Sequence, residues 1–394
     1  MIVYSGTKAS FSDQVRKNLI AEKIHEVFIS VMGHKTSQAE IRSWENSMMY
    51  MNNVIGDTDI PNDTGIAIEY KIPMSSRRID FIVSGSNSDS REIVIIVELK
   101  QWDKARLTDE DGIIETYVGG GVRKVTHPSY QAWSYARLIS DFSETVQEDQ
   151  IDIIPCAYLH NYHHDGVIAS PFYHEHMNHA PLFLSNGAEA LSDFIKKHIK
   201  HGDSKNTLFR IDNGKIKPSK CLADSLSSLL KGNQEFVMID DQKLIYEQAI
   251  KLSKQSSATN KNVLIVEGGP GTGKSVVAIN LLINITKQNK LTQYVTRNSA
   301  PRQVYESRLT GTLKKSHISN LFSGSGSYYS VKSNLFDSLI VDEAHRLNAK
   351  SGMFKNKGEN QIKEIINAAN LSIFFIDENQ KVTLHDIGEM STIR

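Results

Sequence analysis

Three groups of residues in this chain have the types and spacing for chemistry on phosphates. Gly268-Gly269-Pro270-Gly271-Thr272-Gly273-Lys274-Ser275 fits the glycine-rich loop that cradles nucleotide phosphates. Glycines let backbone N–H groups wrap phosphate oxygens, and the helix start that follows adds positive potential. Lys274 supplies a cation and Ser275 a hydroxyl for magnesium, so Gly269, Gly271, Thr272, Gly273, Lys274 and Ser275 are the candidate ATP contacts. Downstream, Asp342 and Glu343 close the apolar run Ser338-Leu339-Ile340-Val341, where ionised side chains are costly without a partner. Asp342 suits the same magnesium ion as Ser275, and Glu343 suits orienting or deprotonating an attacking water. The third group is Asp80 with Glu98-Leu99-Lys100. Two carboxylates can hold magnesium or manganese through oxygen, and the lysine beside them can orient water or stabilise developing charge. The same residues have plainer roles open to them: a glycine-rich turn, an acidic pair capping a strand, and a strand edge with solvated charges.

Positioning these groups requires particular elements. Ile79–Val83 and Ile93–Val97 are β-rich runs around the polar stretch Ser84–Ser90, which reads as a hairpin. Strand alternation puts Glu98 and Lys100 on one face and Leu99 on the other, and Asp80 joins that face if the strands pair. Before them the first 70 residues read as mostly helical, one helix opening at Phe11-Ser12-Asp13 and another at the capping box Ser37-Gln38-Ala39-Glu40. A helix centred on Trp133 and a strand at Ile151–Pro155 complete a compact α/β domain over residues 1–200. Residues 201–235 read as a joining segment. Over 236–394, strands at Asn262–Glu267, Tyr294–Thr296, Leu339–Val341 and Ser372–Ile376 alternate with helices, which predicts βαβ units and a parallel sheet. Ser323-Gly324-Ser325-Gly326-Ser327 reads as a flexible loop.

With these motifs in order, residues 236–394 resemble the first motor lobe of superfamily 1 helicases, and in particular the Schlafen-like family of bacterial DNA/RNA helicases. The resemblance implies a RecA-like P-loop NTPase lobe. Within it, Glu235–Gln242 looks like the adenine-reading motif, implying that Gln242 contacts the base. Thr296–Arg302 resembles the single-strand-contacting segment, and Ile376–Gln380 the motif coupling nucleotide state to nucleic acid, with Gln380 as the implied γ-phosphate sensor. Two-lobed helicases continue beyond this motif, so the expectation is either that the sequence is part of a longer protein or that a partner protein or a homo-oligomer completes the ATP site. ATP binding with weak hydrolysis, and no duplex unwinding by this chain alone, is the corresponding expectation.

The N-terminal half resembles the PD-(D/E)xK nuclease superfamily, with Ile79 standing where the proline of that name would be. Gln131 and Tyr135, at i and i+4 on one helix face, look like the Gln-x-x-x-Tyr element of its RecB-like and exonuclease branches. Glu40 or Glu45 could supply the further carboxylate such enzymes carry, although Glu40 already serves as capping-box partner of Ser37. The resemblance implies a restriction-endonuclease-like fold, metal ligands at Asp80 and Glu98, and Asp80, Glu98, Lys100, Gln131 and Tyr135 as catalytic residues. Together the two halves imply a metal-dependent DNA nuclease coupled to, or regulated by, an ATP-binding helicase-like lobe in antiphage defence or DNA repair. RNA is the alternative substrate. A rival reading is an ATP-gated nucleic-acid sensor or scaffold that does not cut.

Composition sets the outer bounds. Among 394 residues, 45 Lys and Arg balance 45 Asp and Glu, so any polyanion must be held by local patches and not by the field of the whole molecule. Arg77-Arg78, Arg123-Lys124 and Lys196–Lys200 are such patches. Two cysteines build no disulfide framework, and no run approaches the roughly 20 apolar residues of a membrane span, so a cytoplasmic protein is expected. The histidines crowded between His160 and His179 read as polar surface and not as a metal site, and Gly119-Gly120-Gly121 as a mobile loop near the cleft.

Overall fold

The computed structural model describes residues 1–32, 36–72, 75, 77–217, 228, 236–309, 320–352, 356–381, 383 and 386–394. The chain divides into two compact units, Met1–Ser219 and Lys220–Arg394. No helix among the described residues is long and apolar enough to cross a membrane.

The first unit is a mixed α/β layer structure. It opens with β1 (Ile2–Thr7), α1 (Lys8–Arg16), α2 (Ile20–Met32) and α3 (Gln38–Ile55). Next come β2 (Gly65–Lys71), β3 (Arg78–Ser86), β4 (Glu92–Lys100), β5 (Ala105–Leu107), β6 (Ile113–Val118) and β7 (Gly121–Thr126). The rest is α4 (Pro128–Phe142), α5 (Glu144–Glu148), β8 (Asp152–Leu159), α6 (His174–His179), β9 (Leu182–Phe183), α7 (Ala188–His198) and α8 (Thr207–Asn213). Its main sheet runs β1-β2-β3-β4-β8-β9, antiparallel from β1 to β4 and parallel from β4 to β9. β4 is central and its apolar run is buried on both sides, as a strand covered by helices requires. One face packs Phe81, Val97 and Cys156 against Phe11, Phe28, Trp44 and Met51 of the N-terminal helices. The opposite side is covered by α4, which packs across β4 and β8, and by the small β5-β6-β7 sheet through Ile114, Leu159 and Tyr173.

The expected hairpin is present, its turn held by the Asn87 carboxamide oxygen accepting the N–H groups of Asp89 and Arg91 at 3.0 Å each. Four expectations are revised. Ile2–Thr7 is a strand paired with β2, and the first helix begins at Lys8, capped by the Thr7 side chain. Gly119 and Gly120 form a tight turn of the β6–β7 hairpin, with φ of +58° and +83°. Such left-handed values, which suit glycine, make this a defined two-residue turn and not a mobile loop. Ser323–Ser327 splits between an edge strand and a 3₁₀ turn in the second unit, with Ser325 buried. Finally, residues 201–217 fold onto the first unit: Arg210 on α8 pairs with Glu92 and Asp149, and the Thr207 hydroxyl donates to Glu92 at 2.7 Å. Most of the remaining joining segment, with Cys221 and Glu235, lies outside the described residues.

The second unit contains α9 (Asp240–Gln255), β10 (Asn262–Glu267), α10 (Lys274–Lys287), β11 (Thr292–Thr296) and α11 (Ser299–Leu309). It continues through β12 (Phe322–Gly324), β13 (Phe336–Val341), α12 (Gln361–Ala368), β14 (Ala369–Ile376) and α13 (Met390–Ile393). All pairs in its sheet, β10-β14-β13-β11-β12, are parallel, as the alternating pattern predicts. Alternate residues of β14 feed two apolar clusters: Leu371, Ile373 and Phe375 pack with α9 and α10, Phe374 and Ile376 with α12. The sheet is therefore covered on both faces, and its carboxyl edge is where polar groups can gather.

Candidate functional site

Each unit carries its own polar cluster at strand ends. In the first unit, pairing of β3 with β4 in the register Phe81↔Val97 brings Asp80 beside Glu98. Asp80 Oδ2 accepts the Leu99 N–H at 2.8 Å. Glu98 is 1% exposed and receives the Lys100 ammonium at 2.6 Å. Lys100 also lies 5.6 Å from the Trp102 ring centroid. Burial pushes the Asp80 carboxyl up, opposed by Lys100, the Leu99 N–H and Glu98. The strand end is anchored just beyond the lysine. Gln101 Nε2 donates to Ser43 O at 2.8 Å, Ser43 Oγ at 2.7 Å and Ser47 Oγ at 3.0 Å on α3, and Ser47 Oγ bonds His160 Nε2 at 3.1 Å.

Glu69 on β2 belongs to this cluster, and the sequence reading overlooked it. Its φ of +55° is left-handed, a strained value for a non-glycine residue. Trp44 Nε1 donates to Glu69 Oε1 at 2.7 Å, and Arg78 bridges Glu69 Oε2 and Glu40 Oε1 at 2.6 Å each. Burial, with the Asp80 charge adding to it, raises the Glu69 carboxyl to about 7. A lone acid inside the apolar run Gly65-Ile66-Ala67-Ile68-Glu69-Tyr70 was the available signal. Only half of the expected capping box forms: Ser37 caps the Glu40 N–H, while the Glu40 carboxylate turns to Arg78 and Thr36. Glu45 is exposed. On α4, Gln131 Nε2 donates to the Tyr135 hydroxyl at 2.8 Å, so the i, i+4 pair meets as its spacing requires.

No group of three or more His, Cys, Asp or Glu among the described residues is arranged to hold a metal ion. Asp80 and Glu98 are a narrower donor set, two hard oxygen groups forced together in a partly dry site, and that chemistry suits a divalent cation. The histidines diverge. His160 bonds Ser47, His163 bonds Ser185, His176 faces Asp111 and His179 stacks on Trp133 at 4.5 Å. His160 and His176 are buried, which corrects the surface reading for both.

In the second unit, the glycine-rich loop joins β10 to α10. Gly273 has φ +80°, which favours glycine, and a Cβ there would come within 2.4 Å of Gln242 Nε2 and push that side chain aside. Gln242 accepts the Ile239 N–H at 3.2 Å and donates to Thr272 O at 2.8 Å, which fastens α9 to the loop. Gly269 O accepts from the Thr272 hydroxyl at 2.9 Å and from Lys274 Nζ at 2.7 Å. Lys274 also reaches Gly268 O at 2.5 Å and lies 3.9 Å from buried Asp377. Ser275 Oγ donates to Asp342 Oδ2 at 2.7 Å, which brings the two expected magnesium ligands together. That oxygen also accepts from the Tyr294 hydroxyl at 2.5 Å, and Asp342 Oδ1 accepts the Glu343 N–H at 2.9 Å. Glu343 is left-handed at φ +53°, and burial, reinforced by Asp342, raises its carboxyl.

Gln380 lies in the exposed turn Glu378–Gln380 just past Asp377, its side chain outside this network. Thr296–Arg302 spans the end of β11 and the start of α11. Arg297 there donates to Arg346 O at 3.0 Å and Asp386 Oδ1 at 2.6 Å. Gly271, at φ +75°, lies in the loop between Gly269 and Gly273. Asp377 and Tyr294 are contacts of Lys274 and Asp342 to which the sequence reading gave no role of their own.

No curated protein matches the chain. Residues 261–394, which contain the glycine-rich loop, Asp342 and Asp377, match the family model for the Schlafen group 3 DNA/RNA helicase domain. The second unit is thus similar, over β10 to the end of the sequence, to a Schlafen helicase domain.

Proposed function

We propose that this chain is a metal-dependent DNA nuclease of the PD-(D/E)xK type, joined to a RecA-like lobe whose ATP binding controls cutting. The carrying observation is the meeting of Asp80, Glu98 and Lys100 at adjacent strand ends, with Asp80 held on the Leu99 N–H. Charged groups gathered this close to the sheet's apolar interior, with the Asp80 carboxyl raised by burial, are the kind of cluster found at functional sites.

In this reading Asp80 and Glu98 hold magnesium or manganese, which when bound polarises a phosphodiester and acidifies water. Lys100, aligned by Glu98 and Trp102, orients the attacking water or offsets charge on the phosphorane oxygens. Gln131 and Tyr135, bonded to each other on α4, help to position the metal and the DNA. In the second unit, backbone N–H groups of the glycine-rich loop take the ATP phosphates and Lys274 leaves its carbonyl contacts to join them. Ser275 and Asp342 hold the accompanying magnesium, Glu343 serves the attacking water, Gln242 reads adenine and Gln380 senses the γ-phosphate. The likeness to a helicase domain supports nucleic acid as partner. DNA is the favoured substrate and RNA the alternative. The setting is antiphage defence or DNA repair.

The test is cleavage of circular and linear, single- and double-stranded DNA and RNA, with magnesium or manganese, with and without ATP. Metal-dependent cutting abolished in Lys100→Ala and altered in Lys274→Ala is the expected result. ATP binding with no cutting under any condition would overturn the nuclease assignment in favour of an ATP-gated sensor.

A further inference from the structure

Resting on the reading of the second unit as a magnesium–nucleotide site, we infer that Tyr294 is the positioning residue that holds Asp342 for the cation. Tyr294 lies in the middle of β11, 1% exposed, in register with Ile340 and so two residues short of Asp342 on the neighbouring parallel strand. Its side chain spans that offset: the phenol donates to Asp342 Oδ2 at 2.5 Å. Ser275 Oγ reaches the same oxygen at 2.7 Å, and the Glu343 N–H holds Oδ1 at 2.9 Å.

These donors differ in kind. Ser275 belongs to the phosphate loop and is itself an expected metal ligand, and Glu343 is Asp342's own neighbour. Tyr294 comes from a separate strand, and its ring is clamped edge-on by Tyr305 at 5.9 Å and by Phe322 at 5.8 Å. The hydroxyl therefore has a fixed address that loop movement does not change. An all-apolar slot would accept phenylalanine and avoid the desolvation of a hydroxyl, so its presence against a buried carboxylate points to a task for the oxygen. Carboxylates that ligate metals are oriented by such outer hydrogen bonds, whose loss typically weakens metal affinity about 10–100-fold.

The experiment uses the full chain and a fluorescent ATP analogue, titrated in chelator and then with magnesium, with manganese binding followed separately by electron paramagnetic resonance. Tyr294→Phe keeps the ring and removes the hydroxyl. It is expected to raise half-saturating magnesium and the manganese dissociation constant about tenfold, with metal-free nucleotide affinity unchanged. Phe322→Leu, which loosens the clamp without touching Asp342, is expected to lower the melting temperature and leave the metal requirement alone. An unchanged metal requirement in folded Tyr294→Phe overturns the inference, as does an equal shift in Phe322→Leu, which would assign the effect to packing. If the wild type binds no nucleotide at all, the phosphate-site reading itself fails and takes the inference with it.

Discussion

The carboxylate of Asp80 accepts the backbone N–H of Leu99 at 2.8 Å, the amide between Glu98 and Lys100. One side chain on β3 thereby sets where both functional side chains of β4 begin. If these residues cut phosphodiesters, Lys100→Ala and Asp80→Asn should each lower cleavage at least about a hundredfold, the scale of one well-placed proton-transfer or charge-stabilising group. Gel assays at matched protein concentration check this, and melting curves separate lost chemistry from lost fold. Asp80→Asn should melt no lower than wild type, because burial disfavours the Asp80 charge and the carboxamide oxygen can still accept the Leu99 N–H.

Nucleotide binding should depend on Lys274 and Gln242 in different ways. Lys274→Ala is expected to abolish ATP binding measured by calorimetry. Gln242→Ala releases Thr272 O and the Ile239 N–H, and the loss of two hydrogen bonds should weaken binding by roughly 1–3 kcal/mol. A preference for adenine over guanine nucleotides should disappear in the same variant, and a preference unchanged from wild type would remove Gln242 from base reading.

His127 gives the first unit an acid-sensitive element. It is fully buried, with Nε2 at 2.9 Å from Ile168 O and Nδ1 accepting the Ser129 N–H, and burial pushes its imidazole down to about 4. The unfolded chain takes up this proton near pH 6.5, so between pH 6.5 and about 4 the unfolded state holds more protons. Stability is fully present above that window and lost as pH falls through it, by a contribution on the order of 3 kcal/mol. Urea midpoints compared between wild type and His127→Asn should show a smaller acid loss in the variant, which starts less stable at neutral pH.

The β6–β7 turn offers a test of backbone strain alone. Gly120 has φ +83°, and a Cβ there would meet nothing within 4 Å, so Gly120→Ala carries no steric clash. Left-handed backbone should cost it about 1–2 kcal/mol in chemical unfolding. A neutral result would mean that the turn relaxes to another type.

Much of the second unit is legible in the amino-acid sequence because its signals are local. A glycine-rich loop between an apolar run and a periodic helix, with carboxylates closing later apolar runs, defines parallel βαβ order without knowledge of contacts. The hairpin joining Asp80 to Glu98 is equally local, since two alternating runs and one polar turn specify both pairing and face.

Residues whose roles come from distant partners behave otherwise. Glu40 reads as a capping-box acid, yet its carboxylate goes to Arg78, 38 positions away. Glu69 carries no motif, and only the packing of β2 beside β3 and under Trp44 makes it a buried acid raised to about 7. Ser323–Gly324 has loop composition but completes a sheet edge because β11 offers it unpaired backbone groups. Tyr294 reads as one more strand aromatic until the parallel register with β13 sets its hydroxyl on Asp342. The sequence by itself determined the strand-and-helix alternation, the phosphate loop and the spacing of Asp80, Glu98 and Lys100, all carried by periodicities of a few residues. Tertiary structure alone decided which charges share burial and which hydroxyls meet which carboxylates, because desolvation and hydrogen-bond geometry depend on neighbours brought together only when the sheets close.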